Sequence, residues 1–250
     1  QHFKEFQKDI QYNPSTYHGP NQLDERYYIW SRSNFDALLN YDKQFGDAHN
    51  LKVLLGWHTE KYDYNQNIMV RRGFPNNNLT DMDAGTTSTQ TNSGYSRALA
   101  MISGFGRINY DYKSKYLLEA NFRADASSRF APDNRWGYFP SFSAAWRISE
   151  EHFMEGLRDD INDLKIRGSW GLLGNQDALD ASGGADYYPY LNTYNLGGQY
   201  PFDGVLHTGY YQSTYRIESI SWEKARTIGL GLDATLFDHY NLSIDLYDRK

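Results

Sequence analysis

The chain is patterned in twos. Phe35, Ala37, Leu39 and Tyr41 alternate with Asn34, Asp36, Asn40 and Asp42, and Leu51, Val53, Leu55 and Trp57 with Lys52, Gly56 and His58. Ile102, Ile108, Tyr110 and Tyr112 interleave with Ser103, Arg107, Asn109 and Asp111; Tyr116, Leu118, Ala120, Phe122 and Ala124 with Glu119, Asn121, Arg123 and Asp125. The pattern returns at Phe142–Ile148, Leu164–Leu172, Ile228–Leu236 and Leu242–Leu246. A helix would scatter these apolar residues around its circumference, whereas a strand collects them on one face. The pattern therefore predicts an all-β chain with eight strands.

The connections between these strands alternate in length. Short links are expected at Gly46–Asn50, Lys113–Lys115 and Asp238–Tyr240, a medium link at Glu150–Asp163, and long ones at about Arg71–Arg97, Ala126–Pro140 and Gly174–Ser221. Within the medium link, Glu150-Glu-His-Phe-Met-Glu155 suits one helical turn. Gln1–Arg26, with Asn13-Pro14 and Gly19-Pro20, reads as loop. Outer-membrane barrels have this asymmetry, with short turns on one side and long loops on the other. The polar face, with Glu119, Arg123, Asp125, Arg147, Lys165, Arg167 and Asp233, suits either the wet lumen of a barrel or the solvent side of a sandwich. Tyr110, Tyr112, Tyr116, Trp146 and Ile148 fall near the short-turn ends, where a barrel carries an aromatic girdle, although ordinary cross-strand packing also places aromatics there. No repeat of fixed period points to a propeller or solenoid.

Composition narrows the partners. Among 250 residues there are 22 Tyr, 13 Phe, 6 Trp and no Cys, and the net charge is −6. The negative charge disfavours nucleic acid. No apolar run is long enough for a transmembrane helix, and no signal peptide is visible near Gln1. The low mean hydropathy of −0.76 does not argue against a barrel, because membrane strands are short and half polar.

Catalytic patterns do not emerge. The seven His have no metal-ligand spacing, and Asp81-Met-Asp-Ala-Gly85 is only a faint echo of a calcium loop. Gly104-Phe-Gly106 lacks the third glycine of a phosphate loop, and adjacent Glu150 and Glu151 would face opposite sides of a strand. No enzyme, cofactor or metal site is expected. Candidate contacts to a cargo or a covering partner are Tyr187, Tyr188, Tyr190, Tyr194, Tyr210 and Tyr211 in the longest link, with Arg129, Arg135 and Trp136 near the end of a strand pair. Aromatic faces stack on sugars, and Arg can hydrogen-bond hydroxyls. For Arg129–Ser141 a loop-locking role is the favoured reading.

Particular strings carry a resemblance. Leu39-Asn-Tyr-Asp-Lys-Gln-Phe-Gly46 with His49-Asn-Leu51, and Phe105–Tyr112 with Lys115–Leu118, resemble hairpins of SusC/RagA-type TonB-dependent transporters. Arg123-Ala-Asp-Ala-Ser-Ser-Arg-Phe130, Arg135-Trp-Gly-Tyr-Phe-Pro-Ser141, Ala145–Glu150, Phe153-Met154, Leu164–Ser169, Gly171–Asn175, Ser221–Lys224 and Gly231–Asp233 follow in the family's order. Ala126 stands where the family usually has glycine.

The resemblance implies a piece of a plugged antiparallel transmembrane barrel of about 22 strands. Residues 1–250 are then all barrel, without plug, signal peptide or closing strands, and are not expected to seal alone. It further implies the bacterial outer membrane and its lipid, energy through TonB, a SusD-like surface lipoprotein, and an oligosaccharide or peptide cargo. A secreted all-β glycan-binding module is the alternative.

Overall fold

The computed structural model describes residues 1–7, 10–13, 16–18, 20–179, 185–212 and 216–250. Its strands are β1 (His2–Gln7), β2 (Ile10–Asn13), β3 (Thr16–His18), β4 (Gln22–Phe45), β5 (His49–Arg72), β6 (Thr91–Tyr112) and β7 (Tyr116–Ser127). They continue as β8 (Trp136–Arg147), β9 (Ile161–Asn175), β10 (Tyr194–Phe202), β11 (Val205–Gln212), β12 (Glu223–Leu236) and β13 (Tyr240–Arg249). The eight segments read from alternation are β4 to β9, β12 and β13. With β1 they form one nine-stranded sheet in the order β1-β4-β5-β6-β7-β8-β9-β12-β13. β2–β3 and β10–β11 are separate two-stranded ribbons.

Three outcomes differ from the sequence reading. β4 and β5 each run 24 residues and β6 runs 22, far past their apolar alternation. A transmembrane strand needs only about 9–11 residues, so much of each strand has no lipid-facing pattern to betray it. Residues 1–26 are not simply loop: β1 pairs with β4 from His2↔Tyr27 to Gln7↔Gln22. Backbone pairing rather than side-chain pattern makes that strand. Pro14 and Gly19, which prompted the loop reading, lie outside the described residues. The longest link contains the β10–β11 hairpin, closed by Asp203-Gly204 with φ of +50° and +76°. Positive φ at both central residues gives the turn the twist a two-residue hairpin requires. Residues 180–184 and 213–215 of this link also lie outside the described residues.

The chain divides into two compact units. One comprises Gln1–Ser33 and Lys61–Leu99; the other comprises Asn34–Glu60 and Ala100–Lys250. In the first, Asn21 organises the link after β5. Its side-chain carbonyl accepts the Phe74 N–H at 2.7 Å, its amide donates to Phe74 O at 3.2 Å, and its backbone carbonyl accepts the Gly73 N–H at 3.0 Å. Leu23 and Phe74 are buried nearby, with Phe6 edge-on to Phe74 at 5.3 Å.

In the second unit the register aligns the faces. Tyr110, Leu118, Ala144, Gly168, Leu230 and Leu246 form one cross-strand row. Ile108, Ala120, Phe142, Trp170 and Ile228 form the next. This apolar face is open: Leu118, Phe142 and Leu230 are 52%, 54% and 60% exposed. The medium link forms short 3-10 turns at Ile148–Glu150 and His152–Leu157, in keeping with the helical turn expected there.

Candidate functional site

The polar face is built from ion pairs that alternation alone could not assemble. Asp233 on β12 receives Arg167 Nε at 3.0 Å, Lys165 Nζ at 3.0 Å and the Ser243 hydroxyl at 2.7 Å, while Arg167 also meets Asp245 at 2.6 Å. On β7, Arg123 donates to Asp125 at 2.7 Å and to the buried Ser103 hydroxyl at 2.9 Å. Charges of opposite sign sit on neighbouring strands at matched heights, so a wet face can be lined densely without like-charge repulsion. The same face frames a concavity of about 860 Å³ edged by Asp42, Lys52, Glu119, Lys165 and Arg167.

At the short-turn end, Tyr112, Tyr116 and Trp146 occupy one row on the apolar face, with ring centroids 6.3 and 6.4 Å apart. Glu151 ties this end together. It accepts the Tyr116 hydroxyl at 2.7 Å, the Trp146 indole N–H at 3.0 Å and Lys115 Nζ at 3.3 Å. Those bonds, the Tyr116 hydroxyl foremost, hold its carboxyl below the ordinary carboxylate value. At the other end a second aromatic group, Phe122, Tyr138 and Trp136, lies on the same face; Phe122 and Tyr138 stack at 6.2 Å. The structure thus places Trp136, opposite Ala126, on the apolar face.

Arg129 and Arg135 belong to a lock. Phe130, Phe139 and Trp222 form the buried cluster of this unit, with Met101 and Ile220 against it. The Trp222 indole donates to Arg135 O at 2.7 Å, and Arg135 Nε donates to Phe130 O at 3.1 Å. Arg129, with its side chain 5% exposed, donates to Gln176 O at 2.9 Å and to Asp177 at 3.0 Å. The Phe139 ring lies so close over Gly137 and Gly174 that a Cβ at either would overlap it. These contacts join the β7–β8 link, the end of β9 and the approach to β12.

The tyrosines of the long link divide. Tyr194 and Tyr210 meet edge-on at 5.7 Å on the β10–β11 hairpin and are largely exposed. Tyr211 pairs with Asn195 and so points to the hairpin's other face. Tyr187, Tyr188 and Tyr190 precede the hairpin and are half-buried; Tyr187 and Tyr188 lie 6.4 Å apart, and the Arg129 guanidinium is 5.6 Å from the Tyr187 ring.

One aromatic group escaped the sequence reading. Within the unit of residues 1–33 and 61–99, Tyr28, Tyr64 and Tyr95 run across β4, β5 and β6 with centroids 6.5 and 5.7 Å apart. Tyr62 and Tyr64, two apart on β5, were the available signal. In the same unit, Asp83 of the faint calcium-like string faces Arg71 at 3.4 Å.

Comparison with known proteins agrees with this architecture. The chain is 33% identical over 228 residues to TonB-dependent receptor P39 of Formosa agariphila, covering 88% of this chain and 20% of that protein. It is 30% identical over 240 residues to TonB-dependent receptor SusC of Bacteroides thetaiotaomicron, covering 92% and 23%. In fold it is similar to the RagAB peptide importer in its closed-closed state, with a TM-score of 0.83 at 24% identity over 99% of this chain and 26% of that one. The chain therefore spans about a fifth to a quarter of the length of these relatives. The TonB dependent receptor-like β-barrel family model matches residues 2–250, and the chain belongs to that family.

Proposed function

We propose that this chain forms part of the wall of a TonB-dependent transporter that takes up an oligosaccharide or peptide across the bacterial outer membrane. The observation that carries the reading is the two-faced single sheet. A soluble sandwich covers its apolar face with a second sheet, whereas here Leu118, Phe142 and Leu230 lie open behind a wall of ion pairs. Lipid on the apolar side and a wet lumen on the other satisfy both faces. This argues against the secreted-module alternative. The short turns then face the periplasm and the long links face outward. TonB supplies the energy, and a SusD-like surface lipoprotein covers the outer end.

In this reading the exposed β10–β11 tyrosines, Tyr194, Tyr210 and Tyr211, touch cargo or the covering partner, with Tyr187, Tyr188 and Tyr190 at the hairpin's base. Arg129 and Arg135 hold the platform beneath, and Trp136 serves the upper aromatic row. The test is uptake by cells carrying the full-length protein, with and without TonB, together with membrane fractionation. Recovery outside the outer membrane, or uptake indifferent to TonB, refutes the transporter. Deleting Tyr194–Gln212 should leave a heat-modifiable barrel but impair uptake; undiminished uptake removes the hairpin's role.

A further inference from the structure

The polarity of the two strand faces inverts along β5. In its first half the odd positions Leu51, Val53, Leu55 and Trp57 are apolar and the even positions include Lys52 and His58. In its second half the odd positions Lys61, Asp63, Asn65 and Asn67 are polar, and the even positions bring Tyr62 and Tyr64. β6 behaves alike: Ile102 and Ile108 are even, but Asn92 and Ser96 are even too, and Tyr95 is odd. Side chains two apart share a face, so on β5 and β6 the face that carries Tyr64 and Tyr95 is backed by polar residues, while on β4 Tyr27 and Ile29 keep the reverse face apolar. Around Tyr95 the sequence Thr91-Asn-Ser-Gly94 and Ser96-Arg97 has none of the apolar alternation that suits lipid. Lipid therefore does not explain these rings; the Arg97 guanidinium lies 4.8 Å over the Tyr95 ring, which leaves the ladder a charged rim.

Their arrangement suits a flat ligand. Tyr28, Tyr64 and Tyr95 form a ladder with interplanar angles of 32° and 41°. Tyr95 is 46% exposed, and Trp30, of the same parity as Tyr28, is 52% exposed. The Tyr64 hydroxyl donates to Gln66 at 2.8 Å, which places an amide beside the rings. An extended peptide that adds to a sheet needs a free strand edge, with pockets for alternate side chains setting its specificity. At Tyr28 the β4 backbone exchanges bonds with Gln1, and β5 lies between two strands of the sheet, so the backbone edges beside Tyr28 and Tyr64 are taken. A pyranose ring presents a flat C–H face to a phenol ring and hydroxyls to its rim.

We propose that Tyr28, Tyr64 and Tyr95 form a stacking surface for an oligosaccharide, distinct from the β10–β11 hairpin; this rests on the transporter reading above. The experiment uses the purified full-length protein and a printed array of defined neutral and acidic oligosaccharides, followed by titration of the tightest-binding compound. Tyr64→Ala and Tyr95→Ala should each weaken binding about tenfold, and Tyr64→Phe, which keeps the ring, by no more than about twofold. Heat-modifiable mobility checks that each variant folds. Nitration of the wild-type protein supplies a readout that needs no variant: the bound oligosaccharide should protect Tyr28, Tyr64 and Tyr95.

Unchanged affinity in folded alanine variants, or nitration unaffected by ligand, overturns the ladder. So does a wild-type protein that binds nothing on the array, or a peptide pool that protects these tyrosines when no oligosaccharide does. Failure of the transporter reading is separable, because it would appear as TonB-independent uptake or loss from the outer membrane.

Discussion

Phe142→Arg should destabilise the barrel by about 2–4 kcal/mol, and the sheet supplies its own ruler for that figure. On β7, ten residues separate Tyr116, paired with Trp146, from Ala126, paired with Trp136. At about 3.4 Å per residue and a tilt near 40°, these aromatic rows stand roughly 26 Å apart in height, close to the apolar band of an outer-membrane barrel. Phe142 pairs with Ala120 and Trp170, four residues above the lower row, which puts it roughly 3 Å from the midplane. Leu118 lies two residues above that row, about 8 Å from the midplane. Ile166 pairs with Trp146 and Leu232, so both sit in the row itself. Arginine should therefore cost about 2–4 kcal/mol at Phe142, less at Leu118, and about 0–1 kcal/mol at Ile166 or Leu232. Ser143→Arg, one residue away on the polar face beside Glu119, is the control and should cost little. Urea unfolding of the full-length protein in phospholipid bilayers, followed by tryptophan fluorescence and heat-modifiable mobility, measures the series. Equal costs at Phe142 and Ile166, or a larger cost at Ser143 than at Phe142, would refute the assignment of faces and depth.

Gly174→Ala should cost about 1–3 kcal/mol, because its new methyl overlaps the Phe139 ring packed against Trp222, and the penalty should shrink in a Phe139→Leu background; the same unfolding assay reports both. Arg129→Ala removes two charge-assisted bonds to Gln176 and Asp177, so limited proteolysis after residue 176 should accelerate several-fold while the barrel persists. Glu151 makes stability fall with acid. Its folded carboxyl titrates below the unfolded value, so its contribution is complete above the unfolded value of about 4.3 and is lost as pH falls through the lowered one. Unfolding midpoints from pH 7 to pH 3 should decline less steeply in Glu151→Gln, and parallel curves would remove this role.

Which residues share a face is legible in the alternation of the chain, because side-chain alternation along a strand is a local property of extended backbone. From it followed the eight strands, the alternation of short and long links, and the apolar and polar sets that the structure keeps on opposite sides. Pairing across strands is not local. Tertiary register decided that Tyr112, Tyr116 and Trp146 stand in one row and that Trp136 joins the apolar face. It also decided the role of Arg129, whose partners at 176 and 177 are remote in sequence, and of Trp222, which closes on Arg135 across 87 residues. The far halves of β4, β5 and β6 were illegible for the opposite reason. Outside a lipid band neither face must be apolar, so alternation weakens while backbone hydrogen bonding carries the strand on, and only the folded sheet brings Tyr28, Tyr64 and Tyr95 side by side.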